Sequence, residues 1–102
     1  MNRVMRMWSG VIRTADRDEY RDYIGGTGIR DYRLTPGNVD AWMLYLDRGD
    51  GTTTVTTVSL WESRDALAAF AGDDIDVARF YPEDDRFLVE RDLTVTHFDV
   101  VA

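Results

Sequence analysis

The pattern of apolar residues along this chain predicts an α+β domain with the order strand, helix, strand, strand, helix, strand. Three observations carry that prediction. Segments at residues 4–13, 39–48, 52–61 and 93–101 alternate in polarity or concentrate β-branched residues, as half-buried strands do. Two other segments, running from Asp16 and from Ser63, place apolar groups three and four residues apart, as amphipathic helices do. Between the middle strands stands Gly49-Asp50-Gly51, and Asp-Gly is a strong short-range hairpin signal.

Taken in order, the first strand puts Met5, Met7, Ser9 and Val11 on one face and Val4, Arg6, Trp8, Gly10 and Ile12 on the other. Asp16-Arg-Asp-Glu19 has the spacing of a capping box, in which the two acidic side chains satisfy free helix N–H groups. Tyr20, Tyr23 and Ile24 form the apolar stripe of that helix. Gly25, Gly26 and Gly28 should break or kink it, since each costs about 1 kcal/mol in a helix interior. Ile29 and Tyr32 add another turn or two before the turn Thr35-Pro36-Gly37-Asn38. The glycines are no phosphate-binding loop, because no strand leads into them. The second strand opposes Trp42, Leu44 and Leu46 to Ala41, Met43 and Tyr45.

The stretch on which the rest is organised is residues 58–70, where the third strand hands over to a helix. Trp61 ends the strand, Ser63 suits the helix N-cap, and Ala66, Leu67, Phe70 and Ala71 share one helix face up to Gly72. Asp73 or Asp74 is expected to cap a further short helix bearing Ile75, Ala78 and Phe80. Glu83-Asp84-Asp85 reads as a solvated turn, and Phe87-Leu88-Val89 as packing where the chain turns back into the last strand. The whole is a ferredoxin-like β-α-β-β-α-β plan, a four-stranded antiparallel sheet with helices on one face, in one domain spanning residues 1–102. Both faces of the sheet carry apolar side chains, yet the helices cover one. A second copy is the simplest cover, so a homodimer packed through the open sheet face is expected.

Composition narrows the function classes. The net charge is −7 and all 12 basic residues are arginine, so the surface repels phosphate backbones and anionic membranes. The same fold plan serves RNA-recognition modules, but those need a basic surface and a characteristic aromatic motif that this chain lacks. No apolar run approaches the roughly 20 residues of a membrane helix, and no signal-peptide pattern stands at the N-terminus, so a cytoplasmic protein is expected. With no cysteine there is no disulfide, thiolate metal site or cysteine nucleophile.

Four segments resemble one known family. Ser59-Leu-Trp-Glu-Ser63 at a strand end, Phe80-Tyr-Pro-Glu-Asp84, Thr94-Val-Thr-His-Phe-Asp-Val100, and Tyr32-Arg-Leu-Thr-Pro-Gly-Asn38 are similar to the antibiotic biosynthesis monooxygenases. These belong to the dimeric α/β-barrel superfamily, and the resemblance covers nearly the whole chain. It implies oxidation of a flat phenolic or anthrone-like metabolite to a quinone by O₂, with no metal, flavin or haem. Such a site needs an apolar aromatic pocket, a proton acceptor and a donor for the developing oxyanion. The superfamily's haem-degrading members carry a histidine ligand in the helix after the strand-end tryptophan and a polar asparagine in the first strand. Here Ala68-Ala-Phe-Ala-Gly72 and Met7-Trp8-Ser9 stand in those places, so haem degradation is not expected unless His97 ligates from another direction.

His97, the only histidine, is the candidate base, because its unperturbed pKa lies near neutrality. Its plainer reading is a hydrogen-bonded structural or dimer-interface residue. Metal ligation is weaker still, with no second His and no carboxylate cluster at ligand spacing. Arg6 and Arg86 are candidate oxyanion donors; an unpaired Arg6 among apolar neighbours would be costly, so an ion pair with an Asp or Glu is its plainer reading. Trp61, Phe70, Phe80 and Tyr81 are candidate walls of the aromatic pocket, with Trp8 and Trp42 lining the same cavity or the dimer barrel. Each of these aromatics also has a core-packing reading. The alternative to an enzyme is a non-catalytic dimeric domain whose pocket only binds a small molecule.

Overall fold

Alternation at the N-terminal strand, a Gly-interrupted helix and a β-branched hairpin each produce the element they suggest. The computed structural model describes residues 3–72 and 74–102. Strand β1 is Val4–Arg13, followed by a single 3₁₀ turn and helices α1 (Arg17–Gly25) and α2 (Gly28–Leu34). Strands β2 (Asn38–Asp47) and β3 (Thr52–Trp61) form the hairpin, and helix α3 is Arg64–Ala71. A one-turn helix α4 (Asp84–Phe87) leads into β4 (Leu88–Arg91) and, after a gap, β5 (Thr96–Asp99).

The sheet is antiparallel, in the order β2-β3-β1, with β4 and β5 both pairing along the far edge of β1. The last strand, expected over 93–101, is a strand only at Thr96–Asp99, and Leu88–Arg91, expected as packing where the chain turns back, forms a fifth strand. Gly10, Val11 and Ile12 pair with β4, while Val4 to Met7 pair with β5. Between them residues 93–95 leave β1 and pair instead with the segment after α3: Ala78 donates to Leu93 O, Val95 to Asp76 O, and Val77 bridges Thr94. Those bonds are also why the expected helix carrying Ile75, Ala78 and Phe80 does not form. Asp73, the other proposed cap, lies outside the described residues, and Asp74 caps only a local turn through Asp76 N–H.

The capping box is a second correction. Asp16 stands at the α1 N-cap without accepting a helix N–H; its carboxylate takes Arg13 Nε at 3.1 Å, and Glu19 takes Arg86 at 2.8 Å. A charged donor makes the stronger hydrogen bond, so the arginines win the carboxylates. Ser63 does cap α3, accepting from Ala66 N–H at 3.1 Å. The turn before β2 holds Gly37 at φ +90°, where a Cβ would stand 2.4 Å from Ala66 Cβ, so glycine is required both for conformation and for room.

The helices pack on the face bearing Val4, Ile12, Val55 and Trp61, with Tyr20, Ile24, Tyr32, Leu67, Phe70 and Phe87 completing the core. The opposite face keeps Trp42, Leu44, Leu46 and Phe98 exposed beside the partly covered Met5, Met7 and Leu60. Among the described residues no helix is long and apolar enough to cross a membrane.

Candidate functional site

The gap in strand pairing along β1 determines what Arg6 does. Arg6 is 1% exposed and points to the helix side of the sheet, opposite Ser59 on β3 and His97 on β5. With residues 93–95 drawn away, the segment 75–77 lies over it. One terminal nitrogen donates to Ile75 O at 2.5 Å and the other to Val77 O at 3.3 Å. The first also faces His97 Nε2 at 3.1 Å. Among the described residues of this chain no carboxylate pairs with Arg6, so the expected ion pair is not formed there. Main-chain carbonyl dipoles solvate the buried charge instead.

His97 has a side chain 4% exposed, between Arg6 and Asp76. A guanidinium has only protons to offer, so His97 Nε2 accepts, which assigns the ring proton to Nδ1, 3.3 Å from Asp76 Oδ1. Burial, and then the neighbouring Arg6 charge, hold its pKa below the usual histidine value against the opposing pull of Asp76.

Beside Arg6 opens a cleft between the sheet and the two helices α1 and α2. Arg6, Trp8 and Thr57 form its floor; Tyr20, Ile24, Ile29 and Tyr32 line the helix side; Phe70, Arg79, Phe80 and Tyr81 close the rest. Its empty space is about 490 Å³, opening to solvent. Trp8 meets Phe80 edge to face at 6.1 Å, and its indole N–H donates to Asp92 O at 2.7 Å. Arg79 stands over the rings of Phe70 and Tyr81 at 4.8 and 5.4 Å. The Tyr81 hydroxyl donates to Asp31 at 2.7 Å; burial, and then that hydrogen bond, hold its pKa well above the ordinary tyrosine value.

The sequence candidates thus divide. Arg6, Trp8, Phe70, Phe80 and Tyr81 come together around one cleft. Trp61 lies just behind it, fully buried, donating to Ser59 Oγ at 2.9 Å and packed on Tyr32 and Phe70. His97 is screened from the cleft by Arg6. Trp42 is 40% exposed on the open sheet face, and Arg86 is exposed, paired with Glu19 and stacked on Phe87.

The residue that sequence reasoning missed is Asp84. Far from being solvated, it is 3% exposed and lines the cleft, with Oδ2 accepting from Tyr81 N–H at 2.6 Å. Burial raises its pKa, opposed by the Tyr81 hydrogen bond and by Arg91. The usable signal was the position of Asp84 three residues after Tyr81, the spacing at which an acid reaches back to an upstream N–H, which turns one acid of an acidic run inward.

No protein-family model and no curated protein sequence matches the chain. Solved structures do. A putative antibiotic biosynthesis monooxygenase from Bacillus cereus superposes with a TM-score of 0.72 at 14% identity, covering 100% of this chain and 96% of that one. The chain shares the ferredoxin-like fold of that protein. SnoaB, a cofactor-independent oxygenase from Streptomyces nogalater, shares this fold at a TM-score of 0.59 and 15% identity, covering 100% of this chain and 94% of that one. A heme-degrading protein from Mycobacterium tuberculosis shares it at 0.62 and 18%, covering 98% and 95% of the two chains. One fold thus carries different chemistries, and the fold alone does not assign one.

Proposed function

We propose that this chain is a cofactor-independent monooxygenase that oxidises a phenolic or anthrone-like aromatic metabolite to a quinone with O₂. It acts as a homodimer joined through the open sheet face. The observation that supports the reading is the cleft itself: aromatic walls around a buried guanidinium that pairs with no carboxylate among the described residues. A methylene proton of an anthrone passes to solvent water, to be returned to the peroxide anion formed later, and leaves an enolate-type anion whose oxygen charge Arg6 stabilises. The anion gives an electron to O₂ within the sheltered cleft, and the resulting radicals combine as a hydroperoxide at the former methylene carbon. Loss of water leaves the second carbonyl. One atom of O₂ enters the product and the other leaves as water, the substrate supplying all four electrons. His97 holds Arg6 in place from behind, as a positioning residue. The likeness in fold to SnoaB supports the same reaction class.

A second reading, a non-catalytic dimeric domain that binds a small aromatic molecule, draws on one observation. The only histidine is not in the cleft and its Nε2 is already engaged by Arg6. Aerobic incubation with a panel of anthrones and phenols separates the two. The oxygenase reading requires quinone formation and O₂ uptake faster than in buffer, and a drop of about 10²-fold or more in Arg6→Gln. Tight binding without any acceleration across the panel would establish the second reading in its place.

A further inference from the structure

Two buried side-chain polar atoms lack any hydrogen-bond partner among the described residues: Arg6 Nε, a donor, and Asp84 Oδ1, an acceptor. Buried polar groups are nearly always paired, and each exception calls for an explanation. Both exceptions belong to residues lining the same cleft, on two different elements, β1 and α4. The other hydrogen-bonding atoms of these two side chains are taken: the Arg6 terminal nitrogens by main-chain carbonyls and His97, and Asp84 Oδ2 by Tyr81 N–H. One donor and one acceptor are left over, set among aromatic rings.

We propose that Arg6 Nε and Asp84 Oδ1 are a two-point clamp for a planar aromatic ligand that presents an anionic or carbonyl oxygen to Arg6 and donates a hydroxyl to Asp84. This rests on the reading of the cleft as an aromatic-binding site but not on turnover. Arg6 cannot accept and an ionised Asp84 cannot donate, so the clamp reads which end of the ligand is which. A ligand with one polar oxygen leaves one of the two buried groups unpaired, which is the strongest basis on which a small site discriminates. Burial raises the basicity of Asp84, with Asp85 adding to it and Arg91 opposing it, and Tyr20 and Tyr23 of α1 lie in the same field. A more basic carboxylate accepts a hydroxyl proton more strongly.

The test uses naphthalene probes that do not need to react. Dissociation constants are measured by calorimetry for 2-naphthoate, for hydroxy-2-naphthoates with the hydroxyl at several ring positions, for the methoxy ether of each, and for 2-methylnaphthalene. At least one hydroxy acid should bind about 10-fold or more tightly than its methoxy ether, and 2-naphthoate about 10-fold more tightly than 2-methylnaphthalene. In Asp84→Asn the amide oxygen stays on Tyr81 N–H, so the NH₂ group takes the place of Oδ1 and puts a donor where the acceptor was. The preference for hydroxyl over methoxy should then vanish while the preference for carboxylate persists. Arg6→Gln should do the reverse. Equal affinity for every hydroxy acid and its ether, or for 2-naphthoate and 2-methylnaphthalene, in the wild-type protein overturns the clamp without recourse to a variant. So does absence of binding across the whole series. Selective binding with no oxidation of any anthrone would leave the clamp standing and remove the oxygenase reading alone.

Discussion

Trp42→Glu tests the proposed dimer most directly. Trp42 sits on β2 opposite Val58, which in turn lies opposite Met7, so it is one end of an apolar row crossing the open face. It is 40% exposed in the single chain. A tryptophan presents up to about 250 Å², so roughly 100 Å² remains to be covered, equivalent to about 2.5 kcal/mol at about 25 cal/mol per Å². A two-fold interface loses that contribution twice, about 5 kcal/mol, which weakens association by roughly 10³- to 10⁴-fold before any cost of burying two glutamates. Because the side chain lies on an edge strand and is already wetted, the folded monomer should lose little stability. Sedimentation velocity across a concentration series gives the dissociation constant, and thermal unfolding checks the fold. A wild-type chain that stays monomeric at about 100 µM, or a Trp42→Glu dimer of unchanged affinity, refutes the argument that a second copy covers this face.

Two further outcomes follow from the geometry. His97 has a depressed pKa in the folded chain, so its neutral form contributes stability that is present above the unfolded value of about 6.5 and is lost as pH falls through the folded value; the unfolding midpoint should drop as pH is lowered from 7 to 5, and His97→Gln should flatten that part of the profile. Gly37→Ala puts a methyl group against Ala66 at a backbone angle alanine resists, so denaturant unfolding should show a loss of about 1–3 kcal/mol; an unchanged midpoint would mean that the turn and α3 separate freely.

The strands, the hairpin, the break in the first helix and the Ser63 cap were legible because each rests on neighbours in sequence. Alternation, Asp-Gly chemistry, Gly25-Gly26 and a serine before a helix act over a few residues and survive any tertiary arrangement. The two apolar sheet faces were legible for the same reason, since a period of two assigns every strand residue to a side. The capping box failed because Asp16 and Glu19 found arginines that local spacing does not show. The last strand was read as continuous because nothing in residues 93–101 announces that part of them will pair with 76–78 rather than with β1.

The sequence by itself therefore determined the layering of the molecule, the side on which the helices lie and the exposed apolar face that asks for a partner. The tertiary structure alone decided the site. Only when residues 75–77 fold over β1 does Arg6 acquire carbonyls and His97 fall behind it. The Arg6 contacts join residues roughly seventy or more positions apart. Their energies come from burial and from hydrogen bonds between distant segments, and neither has any trace in local spacing.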